Sequence, residues 1–220
     1  MTSYALRPQW KTVPRRRVRK SRYRTMHIAE GVLSPMVLGA GFLVTGIGTY
    51  IGIRQMRNEQ IIPCGILAAV FFLASLIHVP IGISSAHLIA AGLIGIFLKT
   101  AAYPTIFTAL LLQGIFFQFG GITVLGVNCA TMATAACLAG AIFRLISRYN
   151  IFFAGFMAGA LGVLAAALFT AAALAFSEEG FVTAAKALFL AHTPIMLAEG
   201  ILTGGTVAFL ARMRPDLLTR

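Results

Sequence analysis

From residue 35 onward the chain alternates between long apolar runs and short polar breaks. Ser34-Pro35 has the form of an N-cap followed by proline at the first helical position. Apolar residues then fill about 35–53, and Arg54, Arg57, Asn58 and Glu59 end the run. Further runs cover about 61–79, 86–98, 102–117, 128–146, 152–176 and 187–211. Most of them approach the roughly 17–25 residues that an α-helix needs to cross a bilayer. They are continuous rather than alternating, which excludes a β-barrel, and in lipid a backbone that is not in a barrel must bond to itself in helices. The pattern predicts an all-α integral membrane protein, a bundle of about seven transmembrane helices.

The breaks carry most of the polar residues. His78-Val79-Pro80-Ile81-Gly82-Ile83-Ser84-Ser85 interrupts the second run and caps the third, which opens with Ala86-His87. The Gly-rich connector 118–128 lies at or near membrane depth, where irregular backbone is tolerated only if protein or a cavity shelters it. His192 and Glu199 stand seven residues apart in the last run and share a helical face. They read as a buried pair tying the seventh helix to the bundle.

Composition agrees with the pattern. Of 220 residues, 59% are hydrophobic and 11% charged, against about 25% charged in a soluble domain. The net charge of +12 is unevenly placed, because residues 1–25 hold nine of the 18 Lys/Arg and none of the six acids. Such a run binds nucleic acid or anionic lipid, or it is an upstream extension absent from the mature protein. It is not a secretory signal, since no apolar core follows it before Met26. Cys64, Cys129 and Cys137 sit in apolar surroundings with no CxxC or Cys/His cluster, as small buried hydrophobes do.

Seven crossings put Arg54, Arg57, Lys99, Arg144, Arg148, Arg212, Arg214 and Arg220 on one side and Lys186 alone on the other. Eight against one is a positive-inside signal that places the C-terminus in the cytoplasm and Met26 outside. The basic tail violates that rule unless the mature chain starts at Met26. Two domains are therefore expected: a basic extension over 1–25, absent from the mature protein, and a membrane-embedded domain over 26–220.

Chemistry points to the same start. Were Met26 a free N-terminus, its amine, the amide nitrogen of His27 and His27 Nδ1 would close on one metal ion in fused five- and six-membered rings. One further imidazole would complete a square plane, a geometry suited to Ni(II), Cu(II) or low-spin Co(II) and not to tetrahedral Zn(II). The alternative for His27 is a surface histidine near a helix start.

Met26-His27-Ile28-Ala29-Glu30-Gly31 resembles the N-terminus of the CbiM/NikM family, the substrate-capture (S) components of energy-coupling-factor transporters for cobalt and nickel. Three further stretches are similar to the family pattern, in the same order: Ile81 to Leu88; Leu111-Leu112-Gln113 through Phe119 to Asn128; and His192-Thr193-Pro194 through Glu199 to Thr203, with Arg214-Pro215-Asp216. The 25-residue extension departs from the pattern. The resemblance implies a metal ligand set of the Met26 amine, the backbone and Nδ1 nitrogens of His27, and His87 as the fourth nitrogen. It implies Co(2+) or Ni(2+) as transported substrate, with no bound cofactor and no enzyme activity. It also implies a transmembrane T component, paired ATP-binding-cassette ATPase subunits, often a small accessory membrane protein, and residence in a bacterial inner membrane. ATP hydrolysis must come from those partners, since the chain has no GxxxxGK[ST] loop. Glu30 would fix the entering loop, and Asn128 and Gln118 would brace it and orient ligand imidazoles, or else satisfy connector backbone. His78 reads as a supporting group or an interfacial, hydrogen-bonded histidine. Two other classes compete: a membrane enzyme with a histidine metal site built on His78, His87 and His192, and a structural membrane subunit whose basic tail binds lipid or nucleic acid. Neither catalytic His/Glu nor Ser/Lys spacing supports the first, and the second needs residues 1–25 in the mature protein. With the tail removed, the bilayer is a partner and nucleic acid is not.

Overall fold

The computed structural model describes Ile28, 30–31, 33–76, 78–81, 84–177 and 181–218; of 78–81, 84–87 and 181–191 only the backbone is described. Seven α-helices follow one another: α1 (Pro35–Gln55), α2 (Ile61–Leu76), α3 (Ala91–Leu98), α4 (Ala102–Phe117), α5 (Leu125–Ile146), α6 (Ile151–Ala175) and α7 (Phe181–Met213). Two short strands, β1 (His78–Ile81) and β2 (Ser84–His87), form an antiparallel hairpin between α2 and α3. Proline opens α1 with Ser34 extended before it, as expected. The Asn150 side chain caps α6 by accepting from Phe153 N at 2.8 Å.

The membrane bundle is helical, as expected, with a short hairpin in the break at 78–87 that sets Pro80 opposite Ser85. The number of spans needs correction. Among the described residues six stretches are long and apolar enough to cross a membrane, and α3 reaches that length only together with α4, over Ala91–Phe117. At eight residues α3 is about 12 Å long, less than half of a hydrocarbon core about 30 Å thick. The run expected to be helical over 86–98 splits because Ala90 is left-handed (φ 54°) and helix cannot propagate back through it. The residues before Ala90 pair as strand instead.

This half-length helix is the centre of the bundle. Seven of its eight residues are buried. Ile89, Ile94 and Leu98 join Ile106 and Leu110 of α4, Met132 and Ala136 of α5 and Val163 of α6 in one core cluster. Glycine makes the packing feasible: a methyl on Gly95 would land on the Ala136 carbonyl, and one on Gly140 would land on the Gly95 carbonyl. At its far end Lys99 (φ 54°, ψ −123°) turns the chain into α4.

The start of α3 has no side-chain cap of its own. Glu199, on α7 and fully enclosed, supplies one from across the bundle. Its Oε1 accepts from Ile89 N at 2.5 Å and Ala90 N at 2.7 Å. The carboxylate satisfies two amides that begin a helix where no water reaches.

The bundle has two distinct ends. At the first, Ser34 N at the start of α1 donates to Ser177 Oγ just after α6, 3.1 Å away. The 118–124 connector lies there too. At the second, Thr100 Oγ1 donates to Gln55 Oε1 at the end of α1, 2.9 Å away. Arg54, Arg57, Lys99, Arg144, Arg148, Arg212 and Arg214 all belong to the helix ends and turns of this second end. There Arg214 clamps Asp216 with two bonds of 3.0 Å. That hydrogen bond first, and the charge second, hold its guanidinium above its ordinary pKa.

Glu199→Ala strands both amides, so unfolding stability in detergent should drop by about 2–6 kcal/mol, at 1–3 for each buried donor left unpaired. Glu199→Gln keeps an acceptor and should cost less than about 1.5 kcal/mol. Thermal unfolding of the two variants checks the difference; equal losses would mean that the amides are held by something else.

Candidate metal-capture site

The N-terminal segment enters the bundle at its first end. Ile28 is buried and packs with Leu33, Val124 and Val127. Its amide donates to Asn128 Oδ1 at 3.3 Å, and Asn128 is itself buried in the first turn of α5. Two residues on, Glu30 Oε1 accepts from both the amide and the hydroxyl of Thr123, each at 3.3 Å. The Glu30 side chain lies over Gly121, whose positive φ (96°) and missing Cβ leave room for it. These bonds join Ile28 to α5 and Glu30 to the connector.

The other expected residues fall differently. Met26 and His27 lie outside the described residues. His78 and His87 are described by backbone alone, and the hairpin sets them directly opposite each other in register. His192 is buried in α7, and Glu199 is buried on the same helix and holds Ile89 and Ala90. Glu199 thereby links α7 to the start of α3. Gln118 is exposed and ends α4 in a left-handed conformation (φ 56°). Its side chain makes no bond among the described residues, so its contribution there is the helix stop.

Sequence reasoning placed Gln113 in a family-like stretch but gave it no role; it is fully enclosed near the end of α4. The signal was present: Thr105, Ile106, Ala109, Leu110 and Gln113 recur at helical spacing on one buried face. Thr123 and Ser177, which anchor Glu30 and Ser34, were also missed. Short polar residues in connectors look alike until the fold selects which of them face a partner.

Two anchors therefore bracket the two histidines of interest. Asn128 fixes Ile28, the residue after His27, and Glu199 fixes Ile89, two residues after His87. Both meet the first turn of α5. Ile28 packs on Val124 and Val127, and Ile89 belongs to the core cluster that Leu125 and Cys129 enter. Among the described residues no three His, Cys, Asp or Glu side chains converge as a metal site. The ligand set implied by the resemblance relies instead on a terminal amine, a backbone nitrogen and two histidines beyond that description.

Comparison with known proteins agrees with this architecture. Residues 27–217 match the CbiM family, described as the cobalt uptake substrate-specific transmembrane region. A Haemophilus influenzae protein named for metal transport is 37% identical over 201 residues, covering 89% of this chain and 98% of its own. The cobalt transport protein CbiM of Sorangium cellulosum is 34% identical, covering 89% and 95%. The fused nickel transport protein NikMN of Rhodobacter capsulatus is 35% identical, covering 88% of this chain and 64% of that protein. The crystal structure of a truncated transition metal transporter superposes with a TM-score of 0.75 at 29% identity, covering 85% of this chain and 99% of the other. These relatives are transport proteins rather than enzymes, with a metal as cargo. The chain belongs to the CbiM family, as a multi-pass membrane component of cobalt and nickel transport.

Proposed function

We propose that the chain is the substrate-capture component of an energy-coupling-factor importer for divalent cobalt or nickel. The observation that carries this reading is the pair of buried anchors beside His27 and His87, made by Asn128 and Glu199. Two backbone segments that carry the proposed ligands are fixed at one end of the bundle, each by a hydrogen bond from a different helix. In this reading the functional chain begins at Met26, whose free amine is a ligand with the His27 amide and Nδ1 nitrogens and the His87 imidazole. Four nitrogens in one plane strip the ion of its water and select metals that accept square-planar ligation. His78, opposite His87 in register, belongs to the scaffold of that loop.

The first end of the bundle faces outward and the second faces the cytoplasm, in keeping with the arginines and lysine gathered at the second. A transmembrane T component and ATP-binding-cassette subunits, with a small accessory membrane protein, would reorient the loaded chain and release the ion inside. Cobalt for cobalamin biosynthesis and nickel are both compatible with an all-nitrogen plane.

Isothermal titration with Ni(2+) and Co(2+) tests the ligand set. A chain beginning at Met26 should bind tightly, and its intact mass should match that of the membrane-extracted protein. His87→Ala, or one extra residue before Met26, should each abolish high-affinity binding. Wild-type affinity in the extended chain would remove the amine from the ligand set and sink the proposal. Because the ligand nitrogens must shed protons to bind, affinity should fall as pH is lowered, and acid should release the metal.

Asn128→Ala and Glu30→Ala should each weaken capture about 5–30-fold, from about 1–2 kcal/mol of lost loop seating. The fold should survive, as judged by thermal unfolding without metal. For topology, single cysteines at Arg57→Cys and Glu178→Cys, with the three native cysteines replaced, should label from opposite sides of intact cells. Outside labelling of both would break this assignment.

A further inference from the structure

Among the described residues Gln113 is the buried carboxamide whose donor Nε2 and acceptor Oε1 both lack a partner. Native chains rarely leave a primary amide in that state, because its hydration is lost and nothing replaces it. Its neighbours on the same face are satisfied or apolar. Thr105 Oγ1 donates to the Ala101 carbonyl at 2.8 Å, and Ile106, Ala109 and Leu110 enter the central cluster. Leucine at 113 would continue that cluster at no cost.

The position of Gln113 tells what it waits for. It lies one helical turn from Ala109 and Leu110 toward the first end of the bundle. Ile89 and Cys129 belong to the cluster of those two residues. Moving outward from the same cluster, α5 supplies Asn128, next to Cys129, and the chain before Ile89 leads back to the backbone of His87. Three elements thus carry polar groups into the layer above one apolar floor. Of the polar groups around this floor, Asn128 Oδ1 is taken by Ile28 and Glu199 Oε1 by Ile89 and Ala90, while Glu199 Oε2 is a second buried oxygen without a partner among the described residues.

We infer that Gln113 is a positioning residue for metal capture, its Oε1 accepting the ring N–H that a ligand imidazole has left after giving its other nitrogen to the ion. This rests on the capture reading above. A metal-bound imidazole almost always donates its second nitrogen to a fixed acceptor, which sets the tautomer and the plane of the ring. An amide does this without bringing a second negative charge into an apolar layer, as a carboxylate would. The amide Nε2 is left to donate to a backbone carbonyl of the arriving N-terminal segment. Both atoms that lack a partner among the described residues would then be used.

The test uses the chain purified from membranes as the host delivers it, beside a chain beginning at Met26, with Ni(2+) or Cu(2+) alone as probe. Gln113→Leu and Gln113→Met should unfold, without metal, at the wild-type temperature or above it, since a costly buried amide is gone. Both should bind Ni(2+) about 10–100-fold more weakly, with an altered d–d absorption band for the bound Cu(2+). Gln113→Glu, which keeps an acceptor, should restore affinity to within a few-fold. Wild-type affinity and an unaltered band in the Leu and Met variants would overturn the inference, whatever their unfolding temperatures. So would a joint fall in stability and affinity that Gln113→Glu does not rescue, the mark of a merely structural residue. His87→Ala and the one-residue extension, run in the same series, separate the two claims. If they lose binding while Gln113→Leu keeps it, only the role of Gln113 fails; if they too bind like wild type, the capture reading fails first.

Discussion

A helix that starts inside a bilayer begins with amides that water cannot reach. In this chain the start of α3 meets that constraint through one side chain, Glu199, fixed on α7 and bonded to Ile89 and Ala90. Much of the rest follows. The cap lets the chain change from strand to helix at mid-depth, through a left-handed Ala90. The change in turn keeps the hairpin that carries His78 and His87 at the first end of the bundle rather than absorbing it into a longer helix. It also binds α7 to the start of α3 by two buried hydrogen bonds, a directional tie that apolar packing between helices in lipid does not supply.

The first end is assembled from weak parts acting together. The Glu30–Thr123 bonds are long and exposed, and the Ile28–Asn128 bond is single. Neither would hold a loop alone. The buried side chain of Ile28 among Leu33, Val124 and Val127 adds the apolar area, and Gly121 lets the Glu30 chain lie close over the connector. A segment held this way is seated by several weak ties and not by one strong one. The second end is simpler: basic turns, an Arg214–Asp216 clamp and the Gln55–Thr100 bond.

Most of the helices were legible from the apolar runs alone. The run at about 102–117 is α4, and the first, fifth and sixth runs match α1, α5 and α6 to within three residues at either end. The third run misled, because its composition is that of a membrane helix whichever part of it coils. What divides it is a carboxylate 110 residues away in the sequence, and no local window contains that. Asn128 and Glu30 stood out in the sequence, since each is a polar residue at a break in an apolar pattern, and both make hydrogen bonds across the fold. Gln113 was hidden by the opposite circumstance: it is polar inside a run, and only the burial of its face distinguishes it from a surface residue. Gln118 stood out because it sits at a break, yet its side chain is exposed and it serves as a stop.

The two fastenings at Ile28 and Ser34 have a consequence for heredity as much as for chemistry. Ile28 is tied to α5 and Ser34 to the end of α6, with six residues of advance between the two ties. At about 3.4 Å per residue that strand reaches no further than about 20 Å. The segment is thus a ruler whose length, more than its lettering, sets where Ile28 meets α5. A gene can exchange residues along it and keep the measure. A single codon gained or lost there would put a neighbour of Ile28 in its place against Asn128 or strain the tie at Ser34.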